Sequence, residues 1–291
     1  MFNSINQLVE RAVKEDISIS EVMIQQEMEN TGQSYLDVYN LMKINLETME
    51  NAVKEGIEGV NSTTGLTGMD AVKMAKYIES GRGLSGELNL LAIQNAISTN
   101  EVNAAMGKIC ATPTAGSAGV VPGVLFAMVQ KDPSITEEQK VRFLFTSGAF
   151  GFVVANNARI SGAAGGCQAE VGSASAMAAA ALVELAGGTP EMSAHGFSIA
   201  MKNMLGLVCD PVAGLVEVPC VKRNAAGASN ALTAADMALA GIESRIPADE
   251  VVEAMYKIGL TMPSALRETG RGGLAATPTG ERLKEELFGV K

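Results

Sequence analysis

Three of the four cysteines stand in segments where their side chains could do chemistry. Cys167, Cys209 and Cys220 have the spacing C-x41-C-x10-C, and each lies beside Gly, Pro or Asp rather than on a helical stripe. Thiolates are the ligands of iron–sulfur clusters and of many zinc sites. Three thiolates on a 4Fe-4S cluster would leave one iron open, and an open iron can act as a Lewis acid on a substrate oxygen. This set therefore favours catalysis over electron transfer.

Other interpretations of these cysteines remain open. A cytosolic cysteine is most often a small buried hydrophobic residue. A zinc site usually has closely spaced pairs and a fourth ligand, and the only histidine, His195, falls in an apparent helix. A ferredoxin-like carrier would use close pairs and four cysteines. The wide spacing disfavours the last two, and the loop positions disfavour simple core packing.

The three cysteines fall in two of four segments rich in small residues, and we expect all four segments to be loops that converge on one site. Loops held on a rigid scaffold commonly carry function, because they offer exposed backbone donors and freely directed side chains. The four are 111–123 (ATPTAGSAGVVPG), 159–172 (RISGAAGGCQAEVG), 209–230 (CDPVAGLVEVPCVKRNAAGASN) and 271–280 (RGGLAATPTG).

The elements that must position these loops have the length and pattern of helices. We expect helices near 70–80, 87–106, 119–130, 136–157, 173–186, 191–207, 229–242, 248–259 and 279–288. Ser134-x-x-Glu137 should begin the fourth of these, and Gly187-Gly188 and Gly241 should end two others. VVANNARIS and LVEVPCV are the nearest approaches to strands, and both are short. The predicted fold class is all-α, a helical catalytic domain with glycine-rich loops converging on a cluster site.

The N-terminal part is more charged than the rest. Capping boxes at 18–21 (SISE) and 34–37 (SYLD) predict helix starts. The second opens a stripe at spacings of three and four: Tyr39, Met42, Leu46, Met49, Val53 and Ile57. The polar, glycine-rich segment 61–68 (NSTTGLTG) is the best candidate for a hinge. We expect residues 1–60 to be an amphipathic helical region within the same unit, and 69–291 to be the catalytic domain.

Composition excludes several classes of partner. The 291 residues are 47% hydrophobic, with 22 Lys plus Arg against 32 Asp plus Glu and a formal charge of −10. No basic field exists to attract nucleic acid or anionic lipid. The N-terminus lacks the basic start and apolar run of a secretory signal, and other apolar stretches are too short or interrupted to span a bilayer. We expect a cytoplasmic protein without nucleic-acid or membrane partners.

Several runs together resemble the α chain of the bacterial iron–sulfur L-serine dehydratases. They are ATPTAGSAGVVPGVL, SGAAGGCQAEVGSASAMAAAALVELAGGTP, LGLVCDPVAGLVEVPCVKRNAAGASNA and RETGRGGLAATPTG. The resemblance covers roughly the last 220 residues, in fixed order. It implies a helical catalytic region and a 4Fe-4S cluster held by Cys167, Cys209 and Cys220 through the GCQ, CDP and PC motifs.

Two departures from that family pattern qualify the resemblance. Single-chain relatives fuse a regulatory domain and end in a cysteine that can cap the open iron, whereas this sequence ends ELFGVK. It resembles the two-subunit form, so a separate β regulatory subunit is the expected partner. Cys110 matches no cluster motif and is expected to be a buried, inert thiol.

The resemblance implies conversion of L-serine to pyruvate and ammonia. Threonine or cysteine as the substrate is an alternative, as is a non-catalytic iron–sulfur redox-sensing subunit. A pyridoxal-phosphate enzyme would perform the same reaction through a lysine Schiff base, but no Ser-x-Lys phosphate-cup pattern occurs, and Lys108 and Lys222 stand alone near the loops.

Residues near the cysteines supply candidates for substrate binding and catalysis. Thr112, Thr114 and Ser117 are suited to hold a carboxylate, with a plain helix-capping turn as the alternative. The substrate-binding candidates are Thr112, Asn157, Ser161, Arg223 and Asn224; the catalytic ones are Thr114, Ser117 and Glu170. A solvated arginine is the simpler interpretation of Arg223.

The general base is the least defined part of the site. His195 has apolar helix neighbours and is expected to be packed. Glu170 would serve if burial raised its pKa, although a carboxylate at a helix start is the simpler interpretation. A group from the β chain is favoured, because this chain is so poor in histidine.

Overall fold

The computed structural model describes residues 1–289, and over this range it contains helices and isolated bridges but no β-strand. The all-α prediction is confirmed. The helices are α1 (Ile5–Glu15), α2 (Ile19–Thr31), α3 (Tyr35–Glu58), α4 (Asp70–Glu79), α5 (Glu87–Ala104), α6 (Val120–Lys131), α7 (Glu137–Asn157), α8 (Gly162–Gly165), α9 (Ser173–Leu185), α10 (Pro190–Met204), α11 (Cys220–Leu239), α12 (Ala248–Thr261) and α13 (Pro278–Phe288). None of them is both long enough and apolar enough to cross a bilayer.

Side-chain caps fix several of the helix starts. Ser34 accepts a hydrogen bond from the backbone N–H of Asp37, and the Asp37 carboxylate accepts one from the Ser34 N–H, as the sequence pattern predicts. The predicted start at Ser134 is wrong. Thr136 is the cap of α7 and forms the capping box with Gln139, while the Ser134 hydroxyl donates to Asp132.

The largest difference from the predicted elements is α11, which begins at Cys220 rather than near 229. The third predicted loop therefore ends at Pro219. The small residues near the start of α11 resemble a loop in sequence, but in the structure they allow close packing of this helix against its neighbours. A Cβ added at Gly227 would lie 2.7 Å from Val171 Cγ1. The strand-like run VVANNARIS also differs, since its first residues complete α7.

The helix α9 is the centre of the core, and every residue from Ser173 to Val183 is buried. It contacts α6, α7, α10 and α11. Because most of its side chains are Ala or Ser, neighbouring backbones approach closely. The larger Met177, Leu182 and Val183 fill the remaining gaps; fully burying such a side chain contributes about 1.5–3 kcal/mol.

The N-terminal helices pack on this core through the predicted stripe. Leu46, Met49 and Val53 are buried, and α3 lies along α5. Segment 61–68, the expected hinge, is a closed turn with a bridge between its first and last residues. The Thr64 hydroxyl donates to Glu217 at 2.8 Å, which ties this turn to the segment that precedes α11.

Candidate metal centre

Three buried thiols lie at the junction of the glycine-rich segments. Cys167 precedes a π-helical turn, Cys209 lies in an isolated bridge with Arg267, and Cys220 opens α11. None of the three forms a disulfide. Their positions follow from backbone hydrogen bonds between segments: Cys209 N–H donates to Leu266, and the Cys209 carbonyl accepts from the N–H of Glu268.

The thiols are close enough to influence one another electrostatically. Burial raises the pKa of Cys167 to about 11 and that of Cys220 to about 12, and it also raises the pKa of Cys209. Negative charge on Cys167 further raises the pKa of the other two thiols. Three thiolates in this space would therefore need a cation between them, which a metal centre supplies.

Cys110 lies apart from this group. Its thiol contacts the backbone carbonyl of Asn45 on α3, at 3.5 Å. Burial raises its pKa, and the charge of Lys108 and a hydrogen bond with Thr48 oppose that shift. The side chain is half-buried rather than fully enclosed.

Two carboxylates accompany the cysteines. One ligand atom from each of Glu170, Cys209 and Glu268 lies within 4.8 Å of the others. Burial raises the pKa of Glu170; a hydrogen bond from Thr114 opposes that shift and the charge of Glu268 adds to it. Sequence reasoning did not single out Glu268, which has a left-handed backbone with φ of 60°. The available signal was its place in the RETGRGG run.

The TPTAG segment caps a turn and also holds Glu170. Thr114 and Ser117 form the capping box of a 3₁₀ turn. The Thr114 hydroxyl donates to Glu170 Oε1 at 2.8 Å, and the Ser117 hydroxyl donates to the Thr112 carbonyl at 2.9 Å. Thr114 thus reaches the thiol site through Glu170, while Ser117 stabilises the turn behind it.

Asn224 joins α11 to the same segment. Its side-chain oxygen accepts from the N–H of Gly119 at 3.0 Å, and its amide nitrogen donates to the carbonyls of Gly116 at 2.7 Å and Cys220 at 2.9 Å. With these bonds formed and the side chain fully buried, Asn224 clamps the loop to the helix that carries Cys220.

Arg223 places a positive charge beside the thiols. Its Nη1 lies 2.8 Å from Asp210 Oδ1 and donates to the Val208 carbonyl. Its charge opposes the burial-driven rise in pKa at Cys167 and Cys220. Asp210 also accepts from the N–H of Leu274, which fixes the fourth loop against the third. Arg223 is a positioned, mostly buried cation rather than a solvated one.

The remaining predicted residues lie at or beyond the edge of this group. The Ser161 hydroxyl caps the short helix α8. Asn157 is exposed, and its amide donates to the Asn3 carbonyl at 2.8 Å. His195 lies on α10, and its Nδ1 accepts a hydrogen bond from the backbone N–H of Ser244, which follows α11 in the chain. The structure does not bring Asn157 or His195 to the thiols.

The donor set fits a soft metal or an iron–sulfur cluster. Three sulfurs that are buried, reduced and gathered from separate segments match the ligands such centres use. The adjacent guanidinium of Arg223 would offset part of the negative charge of thiolates and bound sulfides. Cys167, Cys209 and Cys220 are the residues that could hold this group.

The absence of a side chain at Gly162 leaves room for the Cys209 thiol and the Glu170 carboxylate. A Cβ added there would lie 2.7 Å from Cys209 Sγ and 2.8 Å from Glu170 Oε2. We expect Gly162→Ala to lower the free energy of unfolding by about 1–3 kcal/mol through overpacking, measured by urea denaturation of the metal-free chain. Gly148→Ala on α7 is the matched control, because a Cβ there meets nothing within 4 Å. Equal urea midpoints for the two variants would contradict this geometry.

Known proteins resemble this chain over nearly its whole length. The family described as "Serine dehydratase alpha chain" matches residues 14–275. "Probable L-serine dehydratase, alpha chain" of Bacillus subtilis (strain 168) is 69% identical over 290 residues, 99% of this chain and 96% of that protein. "L-serine dehydratase, alpha chain" of Peptoniphilus asaccharolyticus is 42% identical over 290 residues, 99% of each chain. "L-serine dehydratase 1" of Escherichia coli (strain K12) is 38% identical over 280 residues, 94% of this chain but 61% of that protein.

Proposed function

This chain belongs to the serine dehydratase alpha chain family, and on that premise we propose that it is a lyase that converts L-serine to pyruvate and ammonia. The observation that carries the proposal is the gathering of three buried thiols, two carboxylates and one guanidinium in a single place. The names of the relatives support serine as the substrate.

The cofactor that we propose is a 4Fe-4S cluster on Cys167, Cys209 and Cys220. When bound through three cysteines, it would supply an open iron that acts as a Lewis acid on the β-hydroxyl of serine. The positive charge of Arg223 would stabilise the negative charge of the cluster. The ion pair with Asp210 keeps the Arg223 side chain in place. Asn224 would keep the backbone of the TPTAG segment at a fixed distance from Cys220.

We propose that Glu170 is the group of this chain that removes the Cα proton of the substrate. Its burial raises its pKa and so makes the carboxylate a stronger base, while the Thr114 hydroxyl orients Oε1. Glu268, which lies close to both Cys209 and Glu170, would bind the substrate ammonium. Loss of the Cα proton and the β-hydroxide gives 2-aminoacrylate, which tautomerises to an imine and hydrolyses to pyruvate and ammonia.

A second subunit is part of this proposal. Two relatives are named alpha chains, and the longer Escherichia coli relative extends well beyond the matched region. A β-type chain would close the site against water and oxygen. The N-terminal helices α1 to α3 are candidates for the contact, and the cytoplasm is the proposed location.

The test is an anaerobic assay of pyruvate formation from serine, threonine and cysteine, with and without the β chain. Serine should be turned over fastest, and the rate should rise sharply when the complex forms. The purified chain should show a broad visible shoulder that bleaches in air. Full activity of an aerobic, iron-free preparation would refute the cluster, and equal activity without β would refute the partner's catalytic role.

A further inference from the structure

A separate cavity lies beside the first residues of the TPTAG segment. Its volume is about 470 Å³, and it is bounded by α3, α6, α7, α9 and residues 108–113. None of the three clustered cysteines lines it, although Thr112 and Pro113 form part of its wall. This volume is in the range of small-molecule sites.

The lining of the cavity defines the chemistry of a ligand. Its floor is apolar and includes Met49, Val121, Leu144 and Met177. Serine has no apolar body to cover these side chains, so this cavity is poorly matched to the substrate of the proposed reaction. A ligand with an aliphatic body would fill it.

Two polar side chains in the lining, Ser147 and Lys108, indicate that the other end of the ligand is polar and negatively charged. Ser147 is 2% exposed, and its hydroxyl has no hydrogen-bond partner among the described residues. In the observed rotamer this oxygen is covered by protein, so a ligand oxygen would reach it only after rotation about χ1, and the new bond would remove the desolvation cost of the unpaired hydroxyl. Lys108 is the one charged residue among those that line the cavity, and it forms no ion pair within residues 1–289.

We propose that this cavity binds a short aliphatic monocarboxylate. The aliphatic body lies against the methionines, the Lys108 ammonium pairs with the carboxylate, and the Ser147 hydroxyl, after rotation about χ1 toward the cavity, donates to a ligand oxygen. This site does not depend on the proposed reaction, because none of these contacts uses a cysteine, Glu170 or Glu268.

Gly148 provides a direct way to fill the cavity. It lines the cavity on α7, and a Cβ added there meets nothing within 4 Å. Gly148→Leu should fold, since leucine is a better helix former than glycine, and its side chain should occupy the space of the ligand. Gly148→Ala adds a methyl group and leaves most of that space.

The experiment is isothermal titration calorimetry of the full chain with 4-methylpentanoate. We expect binding with a Kd on the order of 0.1–1 mM and weaker binding of the neutral 4-methylpentanamide. Gly148→Leu should weaken binding at least about tenfold, and Gly148→Ala much less. Lys108→Gln should weaken it about fivefold, as expected for one exposed ion pair, whereas Lys14→Gln, a distant exposed lysine, should not change it.

Thermal melts confirm that each variant is folded before it is titrated. No binding up to about 10 mM, or binding that Gly148→Leu leaves unchanged, would overturn the proposal. So would competition between 4-methylpentanoate and serine in the active complex, because the cavity would then belong to the substrate site. If Gly148→Leu instead prevents assembly with the β chain while 4-methylpentanoate fails to bind, the cavity is a subunit contact.

Discussion

Cys209→Ser is expected to abolish cluster binding and to reduce serine turnover by at least about a hundredfold. Cys209 lies close to both carboxylates, and the charges of the other two thiols raise its pKa. A serine hydroxyl is close in size, so packing is conserved, but it is a poor ligand for iron. The measurements are iron and sulfide content, visible absorbance under anaerobic conditions, and pyruvate formation in the complex with the β chain.

Cys110→Ser is the matched control, because it makes the same chemical change at a thiol outside the site. It should retain the cluster and nearly full activity. Cys167→Ser and Cys220→Ser should behave like Cys209→Ser if the three sulfurs share one group. A Cys209→Ser chain that keeps both iron and activity, or a Cys110→Ser chain that loses them, would contradict the assignment.

Glu170→Gln is expected to lower kcat by about 10²–10⁴-fold, the usual contribution of a general base. Glutamine keeps an oxygen that can accept from Thr114 and keeps the shape of the side chain, but it cannot take a proton. The cluster absorbance should therefore remain while turnover falls. The measurement is kcat for serine in the reconstituted complex, compared at equal cluster content.

Glu101→Gln is the matched control for a buried carboxylate. Burial raises the pKa of Glu101 too, but its carboxylate accepts hydrogen bonds from the N–H groups of Asp70 and Ala71 at the start of α4. This variant should lose stability and keep its turnover per folded molecule. If Glu170→Gln turns over serine as fast as the unchanged chain, the base must come from the β chain instead.

Local sequence signals predicted most of the helices, because capping and apolar spacing act within a few residues. The starts of α2 and α3 follow from Ser18 with Glu21 and from Ser34 with Asp37. The early start of α11 was missed, since Pro, Cys and Gly near 220 resemble a loop in sequence. Tertiary packing determines where α11 begins. The helix is held by the hydrogen bond from Asn224 to Gly116 and by the close approach of Gly227 to Val171.

Residue types and their nearest neighbours are enough to predict the helical class and to mark three of the thiols as candidate ligands, because that information is local. The spacing C-x41-C-x10-C does not show that the three sulfurs lie close together in space. Their meeting depends on the packing of α9 to α12 and on the bonds that join Cys209 to residues 266–268. Only the folded structure shows that Glu268 lies beside Cys209, that Thr114 donates to Glu170, and that Asn224 joins the TPTAG segment to the helix that begins at Cys220. These are contacts between residues far apart in the chain, and they form only when the helices bring their loops together.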